Sequence, residues 1–113
     1  MHEFSLAQDV FEIVRDTARA NGVSFVSEVT LEIGTLSGVE FSAMETAIES
    51  LQSGSAFEKT KFIIRKIKAE AVCRHCSKTF EPEDIFSLCP KCGNYGIDII
   101  SGRELLVKSI TAE

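Results

Sequence analysis

Apolar positions recur along the chain with two different periods. Between residues 4 and 21, Leu6, Val10, Ile13, Val14 and Thr17 fall at helical spacing, and Ala7, Phe11 and Ala18 widen the stripe. This predicts an amphipathic helix with one face turned to a core. Ser5, followed three residues on by Gln8, predicts a capping box at its start. Asn21-Gly22 predicts its end. From Glu28 to Gly34 the period drops to two: Val29, Leu31 and Ile33 alternate with Glu28, Thr30 and Glu32. That is the pattern of a strand with one buried face and one wet face. After the turn "TLSGVE", helical spacing returns over residues 41–53, with Phe41, Met44, Ile48 and Leu51 on the inner stripe and Gly54 as the stop. Residues 61–69 ("KFIIRKIKA") predict a second strand, although the adjacent Ile63 and Ile64 leave its register open. Residues 103–110 ("RELLVKSI") predict a third.

The order helix, strand, helix, strand, insertion, strand predicts an α+β fold, with two helices packed on a small three-stranded sheet. The insertion, residues 70–96, is expected to form a zinc-ribbon-like module of four cysteines and a separate domain. Residues 1–69 and 97–113 then make the αβ domain. Because the module separates the last two strands, those two are expected to pair as a hairpin carrying it at the tip.

Composition narrows the functional classes. A chain of 113 residues holds one such domain with a small insertion. The net charge of -5 argues against a general nucleic-acid binder, which needs clustered Lys and Arg. No apolar run is long enough to span a membrane, and the start has neither the basic nor the apolar region of a signal peptide. A cytoplasmic protein is therefore expected, whose four cysteines are not disulfides. No nucleophile, acid–base pair or phosphate loop is recognisable, and "GTLSGVE" is not a Walker sequence. The chain is not expected to be an enzyme.

The cysteines carry the strongest chemical signal. Cys73 and Cys76 form one C-x2-C pair, Cys89 and Cys92 another, with twelve residues between the pairs. Two residues between thiolates let the backbone turn both sulfurs onto one ion, and two such knuckles make a closed tetrahedral site of four sulfurs. A module of roughly 25 residues has little core of its own, so a structural Zn(II) would supply its folding energy. Gly93 suits a knuckle in which amides approach sulfur, whereas the first knuckle, "CRHCS", has no glycine after it, so the same contacts are not predicted there. The alternatives are a redox dithiol, free core cysteines or an iron site with the same four ligands. His75 sits between two of the ligands, as a pH-sensitive neighbour or a solvated bystander. Around them Arg74, Lys78 and Lys91 face Glu70, Glu81, Glu83 and Asp84, so the module is not basic.

The first residues, "MHE", offer a second metal chemistry. An α-amine titrates near 7.7–8.0 and deprotonates at modest cost. The Met1 amine, His2 amide and His2 imidazole follow one another, closing a five-membered and then a six-membered chelate. Fused chelates favour square-planar coordination, which suits Ni(II) or Cu(II). Glu3 offers a fourth donor through its amide or its carboxylate. A solvated terminal histidine is the plainer alternative.

"MHEFSL", "LEIGTLSGVE", the two C-x2-C pairs with "CPKCG", and "GRELLVKSI" follow one another over nearly the whole chain. In that combination the sequence resembles the HypA/HybF family, nickel metallochaperones of NiFe-hydrogenase maturation. The resemblance implies transported Ni(II) bound by Met1 through its amine, by His2 through its amide and side chain, and by Glu3, with Glu40 as a further candidate contact. It implies structural Zn(II) on Cys73, Cys76, Cys89 and Cys92. It also implies a partner maturation GTPase and a hydrogenase large-subunit precursor as client, with urease maturation proteins as further candidate partners. The stretch "EKTKFIIRKIKA" is more basic than the family pattern. The rival reading is a four-cysteine zinc-ribbon adaptor or nucleic-acid-binding module with an inert N-terminus.

Overall fold

The computed structural model describes residues 2–113, so the Met1 amine, the first expected nickel donor, lies outside the described residues. The chain runs α1 (Glu3–Ala20), β1 (Val26–Gly34), α2 (Phe41–Gln52), β2 (Lys61–Ile67), β3 (Glu70–Cys73), β4 (Thr79–Phe80), β5 (Ile97–Ser101) and β6 (Leu105–Ala112). It divides into two compact units. The first holds Met1–Glu32, Val39–Arg65 and Leu106–Glu113; the second holds Ile33–Gly38 and Lys66–Leu105.

In the first unit both helices and the alternation of β1 follow the sequence pattern. Val29, Leu31 and Ile33 are buried, as are Val10 and Val14 of α1 and Met44 and Ile48 of α2. Phe11 stacks on Phe62 of β2 with ring centroids 5.0 Å apart and meets Phe57 edge-on at 5.6 Å. Two expectations for α1 fail. The helix begins at Glu3, with His2 as N-cap and no side-chain cap bond, so Ser5 and Gln8 lie inside it and form no capping box. Ile13 is half exposed, and the buried face of α1 consists of Glu3, Ala7, Val10 and Val14.

The three-stranded sheet has the order β2-β1-β6, so β2 and β6 are its edges and β1 lies between them. The expected hairpin of β2 with the last strand does not form. The alternation of β1 accounts for this: its continuous apolar face makes it the strand best able to be central, and both neighbours pair with it. β2 is therefore an edge strand, which explains its basic character. Lys61, Arg65 and Lys66 are exposed, and Arg65 reaches Glu32 at 3.1 Å. Exposed lysines on an edge discourage pairing with another chain.

The second unit has its own sheet, ordered β4-β3-β5, with both pairings antiparallel. β5 was not expected from the sequence, since "IDIIS" mixes its apolar residues without alternation. Beside it the β1–α2 turn is stitched to the segment entering β6: the Gly34 N–H donates to the Glu104 carbonyl at 2.8 Å and the Leu36 N–H to that of Gly102. The approach is so close that a Cβ on Gly34 would lie 2.0 Å from the Gly102 carbonyl.

Candidate functional site

The four cysteines converge in the second unit. Their sulfurs all lie within 4.8 Å of one another, with Cys73 to Cys92 and Cys76 to Cys89 each at 3.6 Å. A tetrahedral ion with metal–sulfur bonds of about 2.3 Å requires sulfurs about 3.8 Å apart, so the set fits a tetrahedral thiolate site. Among the described residues this is the one group of three or more His, Cys, Asp or Glu placed to hold a metal.

Local backbone chemistry builds the two knuckles alike. The Cys73 N–H donates to the Lys78 carbonyl at 2.9 Å, and the Cys89 N–H to that of Asn94 at 3.0 Å. The Ser77 N–H returns to the Cys73 carbonyl at 2.9 Å, and the Gly93 N–H to that of Cys89 at 2.8 Å. Both loops pass through the left-handed region at the same place, Ser77 at φ 64° and Gly93 at φ 73°. A glycine is therefore not needed in the first knuckle. Ser77 adopts the turn, and the Cys76 N–H approaches the Cys73 sulfur at 3.5 Å. His75 is exposed.

The ionisation of the set is conflicted in a way that a cation resolves. The Cys76 and His75 N–H groups lower the Cys73 thiol below its ordinary value. Burial opposes ionisation of Cys89, yet the N–H groups of Cys92 and Lys91 outweigh it and bring the thiol down to about 6. The Asn94 N–H favours a Cys92 thiolate, but burial and the neighbouring sulfurs of Cys73, Cys89 and Cys76 push it up to about 12. Amides aimed at sulfur favour thiolates, while the bonds among the sulfurs keep Cys92 protonated beside its ionised neighbours. A divalent cation would take the place of that proton and favour all four thiolates together.

At the other end, His2 is exposed and its carbonyl accepts the Leu6 N–H at 3.0 Å, opening α1. Glu3 is only 4% exposed, and its carboxylate accepts the Glu40 N–H at 2.9 Å. Its carboxyl is held down at about 2, with the N–H groups of Glu40 and of Glu3 itself favouring the charged form. Glu40 is thus beside Glu3, but through its backbone. Its own carboxylate faces the other way and caps α2, accepting from the Ser42 hydroxyl at 2.8 Å, the Ala43 N–H at 2.7 Å and the Ser42 N–H at 3.3 Å. Those bonds, the Ser42 hydroxyl first, lower the Glu40 carboxyl below its ordinary value. Sequence reading missed this cap and the part of Ser42. The available signal was a polar residue directly before the first apolar position of a helix, with a hydroxyl two residues on.

The profile of the family described as "Hydrogenase/urease nickel incorporation, metallochaperone, hypA" matches residues 1–112. A hydrogenase maturation factor HypA of Parabacteroides distasonis is 44% identical over 110 residues, covering 97% of this chain and 96% of that protein. Its counterpart in Aquifex aeolicus is 38% identical over 113 residues, covering 100% and 98%. The solution structure of the Ni metallochaperone HypA from Helicobacter pylori superimposes with a TM-score of 0.67 at 26% identity, over 99% of this chain and 97% of that one.

Proposed function

The chain belongs to the HypA family of nickel-incorporation metallochaperones, and from that premise we propose that it carries Ni(II) on its first three residues and delivers it to a hydrogenase large-subunit precursor together with a partner GTPase. It acts as a carrier in the cytoplasm and not as a catalyst, and urease maturation proteins are further candidate recipients. The nickel donors are the Met1 amine, the His2 amide and the His2 imidazole, with Glu3 as the fourth. Glu3 donates through its amide or its carboxylate, the latter being already anchored by the Glu40 N–H. The part of Glu40 is to hold Glu3, and through it the terminal turn, against α2. Cys73, Cys76, Cys89 and Cys92 hold structural Zn(II).

The observation that carries the reading is the exposed His2 directly before an anchored helix start. The anchor fixes where the cargo is held, and the exposure lets its ligands be exchanged one at a time. Aqueous Ni(II) loses to Cu(II) at most sites, so delivery by docking gives a selectivity that free diffusion lacks. The test is a calorimetric nickel titration of the tag-free protein against His2→Ala. The variant is expected to lose tight nickel binding, roughly 100-fold or more for a lost imidazole, while keeping its fold. Equal affinity in both would place the site elsewhere.

A further inference from the structure

The twelve residues between the knuckles include "EPEDIFSL", Glu81 to Leu88. Ile85, Phe86 and Leu88 of this stretch are 47%, 83% and 57% exposed. Three large apolar side chains in one short loop are more than a scattered surface residue. We propose that this loop is a docking tip for a partner protein, one whose surface offers an apolar socket rimmed by Lys or Arg.

The loop is built to hold these side chains out. The Ser87 hydroxyl accepts the N–H of Glu83 at 2.9 Å and that of Asp84 at 3.1 Å. The Asp84 carboxylate accepts the Phe86 N–H at 2.7 Å, and the Ser87 N–H donates to the Asp84 carbonyl at 3.3 Å. Pro82 is buried and stiffens the entry. A turn closed on itself in this way presents Phe86 with little further ordering to do on binding. The N–H groups of Glu83, Asp84, Phe86 and Ser87 are already spent within the turn, which favours recognition by side chains over strand addition. A hollow of about 410 Å³, lined by Phe80, Pro82, Phe86, Leu88 and Pro90 among others, lies alongside.

Charge selects the occupant. Glu81, Glu83 and Asp84 line the same hollow as Phe86 and Leu88, and no Lys or Arg occurs between Thr79 and Pro90. An aromatic anchor within a charged rim is the anatomy of a protein–protein hot spot. Anionic membranes and nucleic acids would be repelled by this rim, whereas a basic socket is steered towards it. The tip also depends on the metal site, because its ends are Cys76 and Cys89, whose sulfurs lie 3.6 Å apart. An ion held by the four sulfurs clamps the loop that bears the anchor. Docking at this tip does not require nickel at the N-terminus.

The test pans a phage-displayed random peptide library against the full-length, zinc-loaded protein, then measures the enriched peptides by calorimetry. Peptides with an aromatic or aliphatic residue between Lys and Arg are expected. Their affinity should fall roughly 30-fold or more in Phe86→Ser and weaken as salt rises. The doubly reversed Glu81→Lys/Glu83→Lys protein should select acid-flanked peptides instead. Phe86→Ser should keep its metal content and amide spectrum, since the side chain stands in solvent, which separates lost docking from unfolding. No enrichment, or enrichment that Phe86→Ser leaves unchanged, overturns the proposal. Sedimentation of the protein alone covers one further outcome: self-association abolished by Phe86→Ser would assign the tip to a second copy of the chain and overturn a foreign partner.

Discussion

The cysteine cluster and the N-terminus are both candidate metal sites, built by opposite means. The cluster is made of side chains from two knuckles, with the Cys73, Cys89 and Cys92 sulfurs approached by backbone amides. The terminus, as proposed, would bind through main-chain nitrogens, and the structure supplies an anchor behind it: Glu3 on the Glu40 N–H, Glu40 on the start of α2. A closed thiolate cage suits an ion that stays. A short exposed chelate on a fixed peg suits an ion that leaves.

Opening the cage should have the largest effect. Cys73→Ser is expected to release the structural metal and abolish amide-exchange protection across residues 70–96, where little core substitutes for the ion. The helices and β1 should remain protected, because Val29, Leu31, Met44 and Val14 are buried without it. Simultaneous melting of both units would erase the distinction between them.

Next comes a substitution that separates packing from metal within the second unit. Gly34→Ala puts a Cβ 2.0 Å from the Gly102 carbonyl. It should destabilise the protein by about 1–3 kcal/mol or more, yet leave metal stoichiometry unchanged, as read by thermal melts and metal analysis. Loss of the metal would mean that the stitched turn and the knuckles are one structure.

How much of this was legible follows from the range of each interaction. The helices, β1 and the C-x2-C pairs are local patterns, and the sequence displays them. The sheet order is not local: nothing within "KFIIRKI" says that β1, and not the last strand, will be its neighbour. The basic run, a departure when read as sequence, is the protection of an exposed edge. The Glu40 carboxylate, a candidate nickel contact in the sequence, caps α2 in space, a partnership that no local pattern announces. Ser77 shows the converse, since its turn is fixed by two carbonyls, at Cys73 and Lys78, that override the usual preference for glycine.

The anchor of the terminus predicts a smaller effect. Glu40→Ala removes the cap of α2 and loosens the N–H that holds Glu3. The melting temperature should drop by a few degrees, and nickel binding should weaken, but less than in His2→Ala. The pH dependence has a definite sign. Both carboxyls are depressed in the folded protein, so the unfolded chain binds more protons in acid. Their contribution is complete above the ordinary 4.5 and is lost as the pH falls from there towards about 2, the folded value of Glu3. Acid melts of the parent should be steeper in that window than those of Glu40→Ala. Parallel curves would remove the anchor from the account.

The smallest effect tests the equivalence of the knuckles. Ser77→Gly relieves the left-handed conformation at φ 64°. It should raise resistance of the thiolate site to a competing chelator by roughly two- to fivefold. A decrease would show that the serine contributes something beyond the turn.

The division of labour itself is tested most directly at the first nitrogen. Nickel affinity and zinc content are measured side by side for the protein beginning at Met1 and for the same chain extended by one residue. An extension converts the amine into an amide and leaves every side chain in place. Tight nickel binding is expected to disappear in the extended chain, while one zinc per chain remains in both proteins. Undiminished nickel affinity in the extended chain would contradict that division.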